Sequence, residues 1–185
     1  MTAIEPMSEA AANLARSFPG RDGRSLAECR VVAMDFDGVM TDDGVWLTAD
    51  GEELVRVYRR DGLGLSLLRG AGIPCAVFSG DDSPAMHARC RKLGVPLFPG
   101  LETKLPVLID WLGANQFDLR DCLFLGNDLN DAPCLEACNW AAAPLDCEPS
   151  LLPMTTIHLS RRGGFGAVRE VCDLVLGAHS AAATR

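Results

Sequence analysis

VVAMDFDGV, residues 31–39, is an apolar run that leads directly into two carboxylates. Residues two apart on a β-strand point the same way, so Asp35 and Asp37 are expected to project together at the end of a buried strand. Open α/β sheets bind their ligands at that end of the strands. Two close carboxylates repel each other unless a cation or a shared proton neutralises them, and Mg²⁺ prefers such oxygen ligands. An Asp-Gly turn with one extra acid is the alternative interpretation of this stretch alone.

The chain has 185 residues and a formal net charge of −8, which predicts one acidic domain with a full hydrophobic core. A nucleic-acid partner is not expected, since it would require a basic face. The sequence has neither a signal-peptide pattern nor an apolar run of the ~20 residues that cross a bilayer, so we expect a cytoplasmic protein without membrane contact. None of the eight cysteines forms a C-x-x-C pair, which favours reduced thiols over a zinc site.

Apolar runs alternate with helical patterns along the chain. This alternation predicts βαβ units and a mainly parallel sheet with helices on both faces, a Rossmann-like three-layer α/β sandwich. The predicted buried strands are 31–35, 74–78, 95–98, 122–125, 140–143 and 156–159. The predicted helices are 62–71, 84–93, 104–114, one that starts at Asp131, and 167–176. Two further runs around Ala49-Asp-Gly-Glu52 predict a β-hairpin flap.

Composition divides the chain into three parts. Residues 1–24 have no strong periodicity and are predicted to be a partly loose N-terminal extension. Residues 25–177 form the predicted folded domain, which begins with capping-box spacing between Ser25 and Glu28. Residues 178–185 are rich in alanine and are predicted to be a frayed tail.

Three more polar clusters follow three other predicted strands, and all four would lie on one edge of a parallel sheet. Ser79-Gly80 ends a strand where a hydroxyl and free N–H groups suit a phosphoryl oxygen, and a simple turn is the alternative. Lys104 begins a helix and could neutralise developing negative charge or be an ordinary surface lysine. The loop Gly126–Asp131 is rich in oxygen ligands, and an Asn/Asp loop with a helix N-cap is the alternative.

The chemistry that these clusters support is limited to carboxylates and a metal ion. His87, His158 and His179 lie outside them, so neither a Ser-His-Asp arrangement nor an H-E-x-x-H helix is present. The sequence also lacks the P-loop and dinucleotide-binding fingerprints. An aspartate nucleophile that forms an aspartyl-phosphate is one of the covalent options that remain.

Three stretches carry a resemblance to a known family: Asp35–Asp42 with the hairpin that follows, Arg60–Gly64, and Gly163–Cys172. The chain resembles the 3-deoxy-D-manno-octulosonate 8-phosphate phosphatases of the haloacid dehalogenase superfamily and their nonulosonate 9-phosphate relatives. The resemblance implies a fold without a large cap domain and Mg²⁺ as the cofactor. It also implies a homotetramer in which the hairpin and the C-terminal tail shape neighbouring active sites.

The resemblance further implies roles for the acidic residues. Asp35 would be the nucleophile and a Mg²⁺ ligand. Asp37 would be the general acid and base, and its backbone carbonyl would bind Mg²⁺. Asn127 falls at the third metal-ligand position, with Asp128 and Asp131 behind it.

Three other residues complete the implied catalytic set. Ser79 and Gly80 would hold phosphoryl oxygens, and Lys104 would neutralise charge on the nucleophile and the phosphate. The implied reaction is hydrolysis of a phosphorylated 2-keto-3-deoxy sugar acid of eight or nine carbons. Two alternatives stay open: a broad sugar-phosphate phosphatase, and a non-catalytic tetrameric assembly domain that contacts a sugar-nucleotide synthetase.

Three positions depart from the octulosonate phosphatases. Asn127 stands where they usually have Asp, which removes a negative charge, is expected to weaken metal binding and favours the assembly-domain alternative. Asp81 and Phe165 both stand where those enzymes have Arg. An acid at position 81 could hydrogen-bond sugar hydroxyls. The candidates for binding the substrate carboxylate are Arg89 and Lys92 on the next helix, and a solvated helix face is their alternative interpretation.

Overall fold

The central element of the fold is a six-stranded sheet. A computed structural model describes residues 18–183 of the chain. Its strands are β1 (Val31–Met34), β2 (Val45–Leu47), β3 (Glu53–Val55), β4 (Cys75–Phe78), β5 (Leu97–Phe98), β6 (Cys122–Leu125), β7 (Trp140–Ala143) and β8 (Ile157–His158). Within the described region the large sheet has the order β5-β4-β1-β6-β7-β8, and every pairing in it is parallel. The predicted parallel sheet is therefore confirmed.

Helices cover both faces of this sheet, as the three-layer sandwich requires. They are α1 (Arg59–Gly70), α2 (Pro84–Leu93), α3 (Lys104–Ala114), α4 (Ala132–Ala137) and α5 (Ala167–Ala183), with 3₁₀ turns at Leu26–Glu28, Leu119–Asp121, Leu129–Asp131 and Pro149–Met154. Alternate residues of β1 point into two cores. Val32 and Met34 pack with α1, α2 and α5, whereas Val31 and Ala33 pack with α3 and α4. None of the helices within residues 18–183 combines the length and apolar character needed to traverse a membrane.

The parallel arrangement brings the ends of neighbouring strands to one edge. Met34 of β1 pairs with Val77 of β4 and with Leu125 of β6. The polar clusters that begin at Asp35 and Ser79, and the loop after β6, therefore emerge side by side.

The insert between β1 and α1 is the predicted hairpin, formed by β2 and β3. Val45 pairs with Val55 across it, and Gly51 adopts a left-handed φ of 87° in its turn. β2 matches the predicted run of residues 45–47, whereas β3 ends before the predicted run of residues 54–58 does, because residues 56–58 leave the ladder before α1 begins. All of β2 is exposed, and Trp46 keeps 74% of its surface accessible.

The C-terminal helix is longer than predicted, and the expected frayed tail at 178–185 is wrong for residues 178–183. α5 continues through Gly177 and Ala178 because both are buried there. Nε2 of His179 donates a hydrogen bond to the backbone oxygen of Cys29, 2.8 Å away. The small residues that suggested a loose end are the ones that let the helix pack closely. Residues 184–185 lie outside the described region.

The N-terminal extension is described from residue 18 onward, so the prediction for residues 1–17 lies outside the described region. Residues 18–24 are tied to the domain by Arg21. Its Nη2 donates to the backbone oxygen of Leu135 at 2.9 Å, and its Nε donates to that of Cys138 at 3.2 Å. The proposed boundary at residue 24 therefore falls within a packed part of the chain.

Candidate active site

Lys104 lies between two buried carboxylates at the carboxyl edge of the sheet. Its Nζ is 2.8 Å from Oδ2 of Asp35 and 2.7 Å from Oδ1 of Asp131. None of the three residues is more than 4% exposed. Lys104 is the first residue of α3 and Asp131 directly precedes α4, so three separate elements bring these charges together. A buried charge cluster is expensive to desolvate, which makes it a candidate for chemistry more than for stability.

Burial is the main influence on the charge state of Asp35. The pKa of its carboxyl is raised to about 7, first by burial and then by the negative charge of Asp131, and Lys104 opposes this shift. Burial lowers the pKa of the Lys104 ammonium, but the two carboxylates outweigh burial and the pKa is raised overall. Lys104 is therefore a permanent cation, and a further cation beside Asp35 would favour its ionised form.

Asp131 has a larger role than the sequence indicated. The sequence placed it behind the metal position and at the start of a helix, but did not predict its contact with Lys104. Its other oxygen, Oδ2, accepts hydrogen bonds from the backbone N–H groups of Asn127 and Asp128, at 2.9 and 3.4 Å. Asp131 therefore fixes both the lysine and the loop after β6. An acid that ends an Asn/Asp-rich loop is the feature from which this contact could have been inferred.

Asp37 is held by Thr41, a residue that sequence reasoning missed. Thr41 is fully buried, and its hydroxyl donates to Oδ1 of Asp37 at 3.3 Å. The hydroxyl oxygen also accepts from the backbone N–H groups of Gly38 and Asp43, at 3.2 and 3.3 Å. Burial raises the pKa of Asp37, and the hydrogen bond from Thr41 opposes that shift. The threonine thus fixes the Asp37 carboxylate within its own turn.

Asn127 offers an unused oxygen next to the loop after β1. Its Oδ1 is buried and has no hydrogen-bond partner in the described part of the chain. The side-chain amide lies against Gly38, where a Cβ would overlap it. A buried acceptor without a partner costs free energy, which a bound cation would recover. Carboxylate and amide oxygens are the ligands that Mg²⁺ prefers, so these residues fit that ion.

Asp128 differs from its neighbour Asn127, whose side-chain oxygen is buried. It is exposed, and its Oδ1 accepts a hydrogen bond from the backbone N–H of Leu129 at 2.6 Å, which caps the 3₁₀ turn. Among residues 18–183, no three or more His, Cys, Asp and Glu side chains converge as a metal-binding group. A metal site here would therefore combine carboxylate oxygen with backbone and amide oxygens.

Ser79 and Gly80 lie in the turn that follows β4. Ser79 is 2% exposed, and its Oγ accepts from the backbone N–H of Asp81 at 3.1 Å. A Cβ on Gly80 would lie 3.5 Å from the backbone oxygen of Leu101 and 3.9 Å from Nδ2 of Asn130. Asn130 belongs to the loop after β6, so this turn and that loop adjoin. The sequence did not identify Asn130 as a neighbour of the turn.

A cleft of about 610 Å³ opens beside Asp81. It is lined by the hairpin turn, residues 51–54, and by residues 81–85 at the start of α2. Both segments carry exposed acidic side chains, so the walls are negative and open to water. Burial is the main influence that raises the pKa of the Asp37 carboxyl, and the negative charge of Asp81 adds to this rise. Asp81, on the wall of the cleft, is therefore close enough to Asp37 to influence its charge state.

The two sequence candidates for carboxylate binding lie elsewhere. Nη2 of Arg89 donates to the backbone oxygen of Tyr58 at 2.9 Å, just before α1. Burial lowers the pKa of the Arg89 guanidinium, and the nearby carboxylate of Asp61, which is fully buried, opposes that shift. Lys92 is exposed on α2. Within residues 18–183, no hydrogen bond or ion pair joins either side chain to the Asp35 cluster.

The glycine-rich segment before α5 lies against the loop after β1. A Cβ on Gly163 would overlap the backbone oxygen of Gly38. Gly164 has a φ of 64°, packs against Thr41, and donates its N–H to the backbone oxygen of Val39 at 3.1 Å. Only glycine permits so close an approach with this backbone conformation. The C-terminal part of the chain therefore supports the loop that carries the aspartates.

The chain is similar to a protein of Escherichia coli strain K12, named 3-deoxy-D-manno-octulosonate 8-phosphate phosphatase. That protein is 33% identical over 174 residues, which cover 92% of this chain and 93% of its own. The chain belongs to the 3-deoxy-D-manno-octulosonate 8-phosphate phosphatase family. Members of this family are haloacid-dehalogenase-type phosphatases, and this member is a phosphoric monoester hydrolase. No protein-family model matches the chain.

Solved structures of other members of this phosphatase family have the same fold. The cobalt-bound form of the Haemophilus influenzae enzyme is 34% identical, with a TM-score of 0.80, over 83% of this chain and 91% of that one. The Moraxella catarrhalis enzyme, in complex with magnesium, phosphate and KDO, is 27% identical, with a TM-score of 0.80, over 91% of each chain. Divalent metals are thus bound by family members.

Proposed function

We propose that this phosphatase is Mg²⁺-dependent and hydrolyses the phosphate ester of a 2-keto-3-deoxy sugar acid. The first candidate is 3-deoxy-D-manno-octulosonate 8-phosphate, and a nonulosonate 9-phosphate is the second. One observation carries the proposal: the Asp35–Lys104–Asp131 cluster lies beside a loop in which Asn127 has a buried, unpaired oxygen. The named activity of the E. coli, H. influenzae and M. catarrhalis proteins supports the choice of substrate.

Three oxygens of this chain would hold the Mg²⁺ ion: the Asp35 carboxylate, the backbone carbonyl of Asp37 and the side-chain oxygen of Asn127. When bound, the ion would offset the negative charge that gathers on the phosphoryl oxygens. Asp128 is the fourth metal candidate from the sequence, and it would add negative charge to the site while its Oδ1 accepts the hydrogen bond from the N–H of Leu129.

The chain's own residues would carry out the reaction in two steps. An Asp35 carboxylate oxygen attacks phosphorus, the ester P–O bond breaks, and Asp37 gives its proton to the leaving sugar oxygen. Asp37 then takes a proton from water, which attacks phosphorus, releases inorganic phosphate and restores the Asp35 carboxylate. Lys104 stabilises the negative charge on the carboxylate and the phosphoryl group.

The remaining site residues would position the substrate. Ser79 and the backbone N–H of Gly80 would hold phosphoryl oxygens. Asp81, at the edge of the 610 Å³ cleft, would accept hydrogen bonds from sugar hydroxyls. Arg89 and Lys92 would have to move from their present surroundings to reach the carboxylate of a sugar acid.

A panel of substrates tests this proposal. Phosphate release is measured with Mg²⁺ on octulosonate 8-phosphate, a nonulosonate 9-phosphate, arabinose 5-phosphate and glucose 6-phosphate. We expect kcat/KM to be at least about 100-fold higher for one sugar-acid phosphate than for either neutral sugar phosphate, because binding the carboxylate provides the discrimination. Equal values across the panel would reject the sugar-acid proposal and favour the broad phosphatase.

The assembly-domain alternative rests on Asn127, which gives the metal site one negative charge fewer than an aspartate would. Calorimetric titration with Mg²⁺ separates the two functions. Micromolar to millimolar Mg²⁺ binding, tightened in Asn127→Asp, supports the enzyme. A chain that binds no Mg²⁺ and releases no phosphate from p-nitrophenyl phosphate would favour the assembly role.

We further propose that the phosphatase is a cytoplasmic homotetramer without nucleic-acid or membrane partners. The exposed apolar hairpin strand β2 supports assembly, since a surface of this kind is usually covered by a partner. The net charge of −8 supports the absence of nucleic-acid binding.

A further inference from the structure

The loop after β7, residues 144–148, lies at the end of a central strand and has no part in the proposed reaction. Leu125 of β6 pairs with Ala142 of β7, so this loop emerges at the same edge of the sheet as the loop that carries Asn127. The two loops are joined, because the backbone N–H of Glu148 donates to the backbone oxygen of Asn127 at 2.8 Å. The loop after β7 is therefore fixed to one side of the proposed metal site.

The same loop also contacts the glycine-rich segment, residues 163–166, and the residues just before it. Oδ1 of Asp146 accepts a hydrogen bond from the backbone N–H of Gly163 at 2.9 Å. One residue earlier, the backbone N–H of Leu145 donates to the backbone oxygen of Arg161 at 3.0 Å. Of these two contacts, the one made by Asp146 uses a side chain, so it is the one that a substitution can remove.

Gly163 is the point at which the glycine-rich segment meets the loop after β1. A Cβ on Gly163 would overlap the backbone oxygen of Gly38 and lie 3.1 Å from that of Thr41, so the two backbones are in direct contact. Gly38 directly follows Asp37, and the Thr41 hydroxyl donates to the Asp37 carboxylate. The position of the Gly163 backbone therefore affects the other side of the proposed metal site.

The opposite end of the glycine-rich segment is anchored separately. It leads into α5, and the backbone N–H of Arg169, in the first turn of that helix, donates to Oδ1 of Asp61 at 3.0 Å. Asp61 is fully buried, and it supplies an acceptor for one of the N–H groups that the start of a helix leaves unpaired. Asp146, in contrast, is exposed. Its substitution would therefore release the Gly163 end of the segment while α5 stays in place.

We propose that Asp146 is a positioning residue of this phosphatase, which holds the Gly163 backbone and thereby keeps Asn127 and the loop of Asp37 in fixed positions relative to each other. This inference rests on the proposed function and adds to it a residue outside the ligand set that prepares the site for Mg²⁺. Removal of such a supporting hydrogen bond typically weakens metal binding or activity by about 10-fold to 100-fold.

The first measurement is hydrogen exchange of the metal-free protein, followed by mass spectrometry on peptides that cover residues 160–168. Asp146→Ala removes the acceptor, whereas Asp146→Asn keeps an acceptor oxygen and loses the charge. We expect the amides of Gly163 and Gly164 to exchange about tenfold faster in Asp146→Ala and within about twofold of wild type in Asp146→Asn. Asp110→Ala, which removes an exposed carboxylate from α3, is the matched control and should leave their exchange unchanged.

Calorimetric titration with Mg²⁺ is the second measurement. Asp146→Ala should bind the ion about tenfold more weakly than wild type, and Asp146→Asn should stay within about threefold. The inference is overturned if Asp146→Ala keeps the wild-type exchange rate or the wild-type Mg²⁺ affinity. Equal losses in Asp146→Ala and Asp146→Asn would also overturn it, since they would indicate an effect of charge and not of the hydrogen bond.

The exchange measurement separates this inference from the proposed function, because it requires neither metal nor catalysis. If wild type itself neither binds Mg²⁺ nor releases phosphate, the proposed function fails. Faster exchange in Asp146→Ala would in that case still support the role of Asp146 in holding the segment.

Discussion

At the scale of single residues, the site depends on one cation that two carboxylates share. Asp35 and Asp131 are both buried, and Lys104 is their common partner at 2.8 and 2.7 Å. A buried carboxylate without a partner costs several kcal/mol, so the lysine is needed for folding as well as for chemistry. The contribution of Lys104 to folding is expected to depend on pH, because the charge of Asp35 does.

Lys104→Met should destabilise the metal-free protein by about 3–5 kcal/mol at pH 7.5, because two buried carboxylates lose their cation. The folded-state pKa of Asp35 is already raised to about 7 from its ordinary 3.8, so its contribution to stability is lost as pH rises through about 7. Removing Lys104 raises that pKa further. The destabilisation should therefore shrink at pH 5, where Asp35 is protonated in the folded state.

Urea denaturation in the presence of a chelator, at pH 7.5 and pH 5, measures this difference. Lys92→Met removes an exposed lysine from α2 and is the control, with an expected change below about 0.5 kcal/mol. An equal loss of stability at both pH values for Lys104→Met would contradict the assignment of the lysine as the counter-charge of Asp35.

Thr41→Val should impair Asp37, the proposed general acid, more than Asp35, the proposed nucleophile, because Thr41 holds Asp37. We expect kcat/KM for an alkyl phosphate ester such as octulosonate 8-phosphate to fall about 100-fold. The fall for p-nitrophenyl phosphate should stay below about tenfold, since p-nitrophenolate leaves without a proton. Thr41→Ser keeps the hydroxyl and should restore most activity, whereas equal losses on both substrates would argue against a positioning role.

Some site residues could be predicted from the sequence and others could not. The two groups differ in which part of the fold determines their contacts. Asp35 and Lys104 could be placed together because parallel strands fix where their carboxyl ends meet. Thr41 and Asn130 could not, because their neighbours depend on the exact path of a loop, which no periodicity encodes.

At the scale of elements, the glycine-rich segment supports the loop that carries Asp35 and Asp37. Gly163→Ala should move the two apart, since its Cβ would overlap the backbone oxygen of Gly38. We expect a loss of stability of about 1–3 kcal/mol and a larger loss of Mg²⁺-dependent activity. Gly113→Ala on α3 is the control, because a Cβ there meets nothing within 4 Å.

Thermal denaturation and phosphate release, measured on both glycine variants, check this prediction. Gly113→Ala should be neutral or slightly stabilising, as expected for glycine replaced in a helix. A Gly163→Ala protein with wild-type activity would show that the segment does not support the loop.

Elements in the middle of the sheet were predicted best. β6 and β7 match the predicted ranges 122–125 and 140–143, because a strand buried on both faces is a continuous apolar run with clear ends. The end of α5 was predicted too early, because Gly177 and the alanines after it have no strong amphipathic pattern. Tertiary packing of Ala178 and the hydrogen bond of His179 extend the helix, and neither is visible in local sequence.

At the scale of the whole molecule, the hairpin carries an exposed apolar surface. Val45, Trp46 and Leu47 are 51%, 74% and 70% exposed. The proposed homotetramer would cover them. Trp46→Ser combined with Leu47→Ser should lower the mass in solution from about four times that of the chain to that of a monomer or dimer. Multi-angle light scattering measures this, and a monomeric wild-type protein would contradict the proposed tetramer.

The central claim is that Asp35 takes the phosphoryl group of a sugar-acid phosphate. The most direct measurement is Mg²⁺-dependent phosphate release from octulosonate 8-phosphate by wild type and by Asp35→Asn, which removes the nucleophilic charge and keeps the shape of the side chain. We predict release by the wild type and a loss of at least about 1,000-fold in the variant. Equal release by the two proteins would contradict the claim.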